Sequence, residues 1–97
     1  MVIRIVKMTF RAEEIEAFKN LFDERKSLIR SCAGCTHLEL WQDKAAPHIF
    51  FTYSWWQTEA DLDAYRNSCF FEDTWKLTKA KFAAKAEAWS VQQVQCL

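Results

Sequence analysis

The sequence predicts an α+β domain, with helices packed on one face of an antiparallel sheet, and three observations carry the prediction. The hydrophobic period switches between two and about 3.6 along the chain, in the order strand, helix, strand, strand, broken helix, strand. The stretch from His48 to Trp75, HIFFTYSWWQTEADLDAYRNSCFFEDTW, runs a strand with large residues on both faces directly into a helix-capping signal. Five Trp, eight Phe and two Tyr among 97 residues exceed what one core of this size needs, so part of that surface is expected at a subunit contact or a ligand cavity.

Each element has its own signal. Residues 2 to 10, VIRIVKMTF, are β-branched and apolar with Arg4 and Lys7 interspersed, which reads as a strand. Glu13 and Glu14 open a helix whose Ile15, Phe18, Leu21, Phe22, Leu28 and Ile29 recur at helical spacing. Residues 36 to 42, THLELWQ, alternate, with Leu38 and Leu40 on one face and His37, Glu39 and Trp41 on the other. A short connection ending in Pro47 leads into a third strand, roughly 48 to 56, with Phe50 and Trp56 on one face and Ile49, Phe51, Tyr53 and Trp55 on the other. Thr58 caps a short helix from Glu59 to about Asn67, with Asp61 in the capping position. Ser68 caps a second helix, on which Phe71, Trp75, Thr78 and Phe82 form one stripe. The segment AEAWSVQQVQ, with Trp89, Val91 and Val94, returns to alternation as a fourth strand.

Residues 1 to 97 contain no repeat, linker or low-complexity stretch and are read as one domain. The element order is that of the ferredoxin-like split βαβ arrangement, βαββαβ with a split second helix and a four-stranded antiparallel sheet. The third strand needs cover on both faces, and the helices supply only one. A second copy of the chain can close sheet against sheet, so a two-fold homodimer, a dimeric α/β barrel, is expected.

Thirteen basic and thirteen acidic residues cancel, which leaves no electrostatic footprint for nucleic acid or an anionic membrane. No apolar run approaches the roughly 18 residues of a membrane span, and the N-terminus lacks a signal-peptide pattern, so a cytoplasmic protein is expected. Its four cysteines, 32, 35, 69 and 96, are then expected as free thiols of unassigned role. Cys32-Ala33-Gly34-Cys35 has redox spacing, but it follows a helix instead of preceding one, and reads better as a helix stop. His37 and His48 with those cysteines match no ordinary zinc pattern, so no metal site is expected. A single Gly excludes a phosphate loop, and neither a nucleophile elbow nor paired carboxylates are present.

Tyr53-Ser54-Trp55-Trp56, followed by Thr58-Glu59-Ala60-Asp61-Leu62, resembles the Tyr-Glu-x-Trp strand end of the antibiotic biosynthesis monooxygenase family. Ala64 to Phe71, AYRNSCFF, resembles that family's Ser-x-x-Phe element. The resemblance implies a dimeric α+β barrel with a pocket between helices and sheet in each subunit. In some members that pocket holds a polycyclic aromatic or quinol substrate, oxidised by O₂ without metal or organic cofactor. A haem-degrading branch shares an Asn, a Trp and a His that fall here near Val6, Tyr65 and Trp75. The only Asn residues are Asn20 and Asn67 and the only His residues His37 and His48, so haem is disfavoured and no cofactor is expected. The family's strand Glu is Ser54 here, and its frequent His falls at about Tyr65.

The expected pocket residues are Tyr65, Phe71, Trp75, Phe82 and Tyr53. Phe71, Trp75 and Phe82 could give a flat ligand stacking area or simply cover the sheet. The phenols of Tyr65 and Tyr53 could orient a quinone-like oxygen or reach a backbone carbonyl, and Tyr65 is the best catalytic candidate. Two functions remain open: a cofactor-independent monooxygenase acting on a small aromatic or quinol-type substrate, and a non-catalytic ligand-binding or structural dimer.

Overall fold

A computed structural model describes residues 1–97. In chain order the elements are β1 (Val2–Phe10), a 3-10 turn (Ala12–Glu14), α1 (Ile15–Arg30), β2 (Cys35–Gln42), β3 (Ile49–Trp56), α2 (Glu59–Arg66), α3 (Cys69–Lys79) and β4 (Phe82–Val91). The strands form one antiparallel sheet in the order β2-β3-β1-β4, the ferredoxin-like topology expected from the periodicity.

Capping chemistry places the broken helix as the sequence suggests. Thr58 Oγ1 accepts from the Asp61 N–H at 3.1 Å and starts α2, and Ser68 Oγ accepts from the Phe71 N–H at 3.1 Å and starts α3. Gly34, at φ 84°, makes the turn after α1. A Cβ at Gly34 would stand 2.5 Å from Asp61 Cβ, so this turn packs tightly on the start of α2 and only glycine fits.

Alternation along the paired strands decides which side chains meet the helices. In the β1–β3 register Arg4 faces Ser54, Val6 faces Thr52 and Met8 faces Phe50, all on the helix-covered side. There Met8, Phe10, Phe18 and Phe50 form the main core cluster, with Phe10 stacked on Phe18 at 4.2 Å. A second cluster, Cys35, Trp56 and Leu62, closes the other end under α2. Arg25 ties the helices together, its Nη1 donating to Asp73 Oδ2 at 2.9 Å and Thr74 Oγ1 at 2.8 Å.

Two boundaries differ from the periodic reading. Phe82 does not continue the helical stripe, because α3 ends at Lys79 and Phe82 opens β4 opposite Phe10. Its ring still meets Trp75 at 5.6 Å, since the last inward turn of the helix and the first inward residue of the strand face the same core. The fourth strand therefore starts before Ala86 and ends at Val91, leaving Val94 outside it and 83% exposed.

The other face of the sheet carries no helix. Tyr53 stacks on Trp41 at 4.6 Å there, with Trp55 and His37 edge-on to Tyr53. In the single chain Trp41 is 40% and Trp89 44% exposed, while Trp55 Nε1 is a buried donor with no acceptor.

Candidate functional site

Between the helices and the inner face of the sheet lies a cavity of about 310 Å³, in the range of small-ligand sites. Its floor is made by Arg4, Val6 and Met8 of β1, Thr52, Ser54 and Trp56 of β3, and Ala86 and Ala88 of β4. Space exists because β4 presents alanines where larger side chains would fill the gap against the helices. Leu62, Tyr65 and Arg66 of α2 and Phe71, Thr74, Trp75 and Thr78 of α3 form the wall, with Phe18, Phe22 and Ile29 of α1 opposite.

The wall is an unbroken file of aromatic rings. Trp56, 1% exposed, is fixed by its Nε1 donating to Ser54 Oγ at 3.0 Å. Tyr65 lies on Trp56 at 4.9 Å, Phe71 stands edge-on to Tyr65 at 5.0 Å, and Trp75 stacks on Phe71 at 5.9 Å. Such rings offer a flat ligand both faces and edges for contact at little entropic cost.

Burial, and then the neighbouring thiols of Cys32 and Cys35, hold the Tyr65 phenol far above its usual pKa. It is a proton-bearing donor at any physiological pH and cannot act as a base. Burial also pushes up both thiols, the reverse of what a redox-active Cys-x-x-Cys pair needs. Their Sγ–H groups instead reach backbone carbonyls, Cys32 that of Leu28 and Cys35 that of His37.

Of the residues expected at a pocket, the structure brings Tyr65, Phe71 and Trp75 together on one wall. Phe82 sits behind Trp75 without reaching the cavity lining. Tyr53 lies on the opposite side of the sheet, because its neighbours Thr52 and Ser54 take the inward positions of β3. Thr52, Ser54, Arg4 and Arg66 are cavity residues that the periodic reading passes over. A signal for Arg4 was present: Val2, Arg4, Val6 and Met8 share one parity, which turns a guanidinium toward the helices.

Neither histidine lines the cavity, nor does any cysteine. His37 is bonded to Glu39 on the far face of the sheet, an interaction that lowers the Glu39 pKa. With Tyr65 held neutral, the donor set does not fit haem iron.

A four-stranded antiparallel sheet with helices on one side and an aromatic cavity between the layers places the chain in the ferredoxin-like α+β class. The sequence profile of the family described as antibiotic biosynthesis monooxygenase matches residues 1–77, from β1 through most of α3, and the chain belongs to that family. Solved structures agree on the fold. A crystal structure of an antibiotic biosynthesis monooxygenase superposes with a TM-score of 0.91 at 21% identity, over 98% of this chain and 100% of the other. A conserved protein from Methanosarcina mazei gives 0.88 at 22% identity, over 96% and 93% of the two chains. SnoaB from Streptomyces nogalater, a cofactor-independent oxygenase, gives 0.88 at 12% identity, over 99% and 95%. No curated protein sequence matches the chain significantly.

Proposed function

We propose that this protein is a cofactor-independent monooxygenase that oxidises a small aromatic or quinol-type substrate held in the cavity between helices and sheet. The observation that carries the reading is the ring file Trp56, Tyr65, Phe71 and Trp75 along a cavity of about 310 Å³. Family membership supports the reaction class. The fold shared with SnoaB is consistent with chemistry that needs no cofactor.

In this reading the substrate stacks against Trp75 and Phe71, and the protonated Tyr65 donates to its oxygen. An electron-rich substrate anion reduces O₂, and the resulting peroxide collapses. One oxygen atom remains on the product as a carbonyl, the other leaves as water, and the substrate carbon supplies every electron. The protein's part is to position the ring, keep bulk water away and steady the developing charge.

The same reading includes a second copy of the chain. A mate packed on the aromatic face of Trp41, Tyr53, Trp55 and Trp89 would cover those rings and could offer an acceptor to Trp55 Nε1. The cavity wall carries no carboxylate, imidazole or amine that could serve as a general base, and that observation favours a second reading, binding of the same ligand class without turnover.

Thermal-shift measurements against quinols and anthrone-like phenols, with wild type and Trp75→Phe, test the binding half. Saturating ligand should raise the wild-type Tm by several degrees and the variant's by less. Equal or absent shifts across the panel would remove the cavity as the site.

A further inference from the structure

The cavity lining contains just two charged side chains, and both are arginines: Arg4 from β1 and Arg66 from α2. No aspartate or glutamate shares the wall. Neither guanidinium belongs to any of the chain's ion pairs, which engage Arg11, Lys19, Arg25, Lys26 and His37 instead. Arg4 is half-buried and is steadied from one side, its Nη1 donating to Ser90 Oγ at 3.0 Å across the β1–β4 seam. Arg66 is exposed at the end of α2, one residue beyond Tyr65.

We propose, building on the reading of this cavity as the ligand site, that it takes its aromatic ligand as an anion, with Arg4 and Arg66 holding the ionised oxygen. Two like charges facing one largely apolar space repel each other, and burial adds to the penalty. Both effects lower the Arg4 pKa, burial more than Arg66, with the carboxylate of Asp63 opposing them. Asp63 is exposed and outside the lining, so no carboxylate enters the cavity beside Arg4 and Arg66. An anionic oxygen there relieves the repulsion and gains charge-assisted hydrogen bonds from donors whose planar fork suits phenolate, enolate or carboxylate.

The assignment supplies what the wall lacks. With no base among its side chains, the site cannot ionise a substrate, but a cationic pair can select the ionised form of an acidic phenol or enol from solution. That form is the one that gives an electron to O₂. Low-dielectric walls concentrate the field of the two guanidiniums, which favours anion capture and makes it salt-dependent.

Isothermal titration with two matched pairs of probes tests the proposal: naphthoate against naphthamide, and hydroxynaphthoquinone, ionised at neutral pH, against its neutral methoxy ether. Wild type should bind each anion about tenfold or more tighter than its neutral partner. The naphthoate arm reads carboxylate recognition and the quinone arm reads enolate recognition. Arg66→Gln, an exposed change that leaves the core intact, should lose about tenfold for anions and little for neutral probes. Arg4→Gln, which removes the charge and keeps a polar side chain, should behave alike. Equal affinity for charged and neutral members, or an anion preference that survives both substitutions, would overturn the anion assignment while leaving the cavity as a binding site. No binding by any of the four compounds would overturn the cavity reading itself, and the anion assignment with it.

Discussion

Tyr65 lies against Trp56 with ring centroids 4.9 Å apart and planes inclined by 23°, while Trp56 is pinned from below by Ser54. The phenol is thus oriented by a buried indole that is itself hydrogen-bonded, and α2 reaches the sheet through this contact. Tyr65→Phe keeps the stack and removes the hydroxyl. Ligand binding should weaken by about tenfold, with unfolding free energy changed by no more than about 1 kcal/mol. Tyr65→Ala should instead destabilise by about 3 kcal/mol, as loss of a large packed ring generally does. Urea melts and ligand titrations of the two variants separate the roles.

The half-buried phenol also predicts an alkaline limb. Burial raises the folded pKa of Tyr65 above that of the unfolded chain, so the folded state holds its proton more tightly. The stabilisation is complete below the unfolded value of about 10 and is lost as pH climbs through and beyond it. The thiols of Cys32 and Cys35, also raised by burial, act in the same sense and begin to do so at lower pH. Wild type should therefore lose more stability between neutral pH and pH ~11 than Tyr65→Phe, which lacks only the phenol. Parallel curves for the two proteins would place Tyr65 in solvent.

Filling the cavity from the sheet side is a separate test, because Ala86 lines the cavity on β4, away from the aromatic file. Ala86→Leu puts a branched side chain into the space reserved for ligand. Affinity for an aromatic probe should fall by tenfold or more, while Tm stays level or rises because the added methyl groups occupy a void instead of a packed core.

Most of the architecture is legible in the sequence, and each error has its own physical cause. The strands and helices follow from periodicity and from Thr58 and Ser68, whose caps stand where the sequence puts them. Phe82 was drawn into the helix because a helical stripe and an inward strand position look alike when both face one core. Tyr53 was expected at the pocket as a polar aromatic, yet strand parity turns it away and turns the unremarkable Thr52 and Ser54 inward. The two cavity arginines come from elements far apart in the chain, β1 and α2, so no local pattern pairs them. Their meeting is a product of the sheet order, which places β1 beside β3 and beneath the helices.

Sedimentation velocity should show twice the chain mass if a second copy packs on the uncovered aromatic face. Trp41→Lys, a substitution at a ring 40% exposed in the single chain, should shift the species toward monomer with little change in monomer stability. A wild-type protein that sediments as a monomer at all concentrations would leave that face to solvent.

The most direct measurement is oxygen incorporation. With an anthrone-like phenol, in buffer treated with chelator and without added flavin, haem or nicotinamide, wild type should consume O₂ in step with product. Mass spectrometry with labelled O₂ should place one labelled atom in each new carbonyl, and Trp75→Phe and Arg66→Gln should slow the reaction. Enzyme-dependent uptake absent from a panel of substrates that demonstrably bind the cavity would contradict catalysis and leave this chain a ligand-binding member of its family.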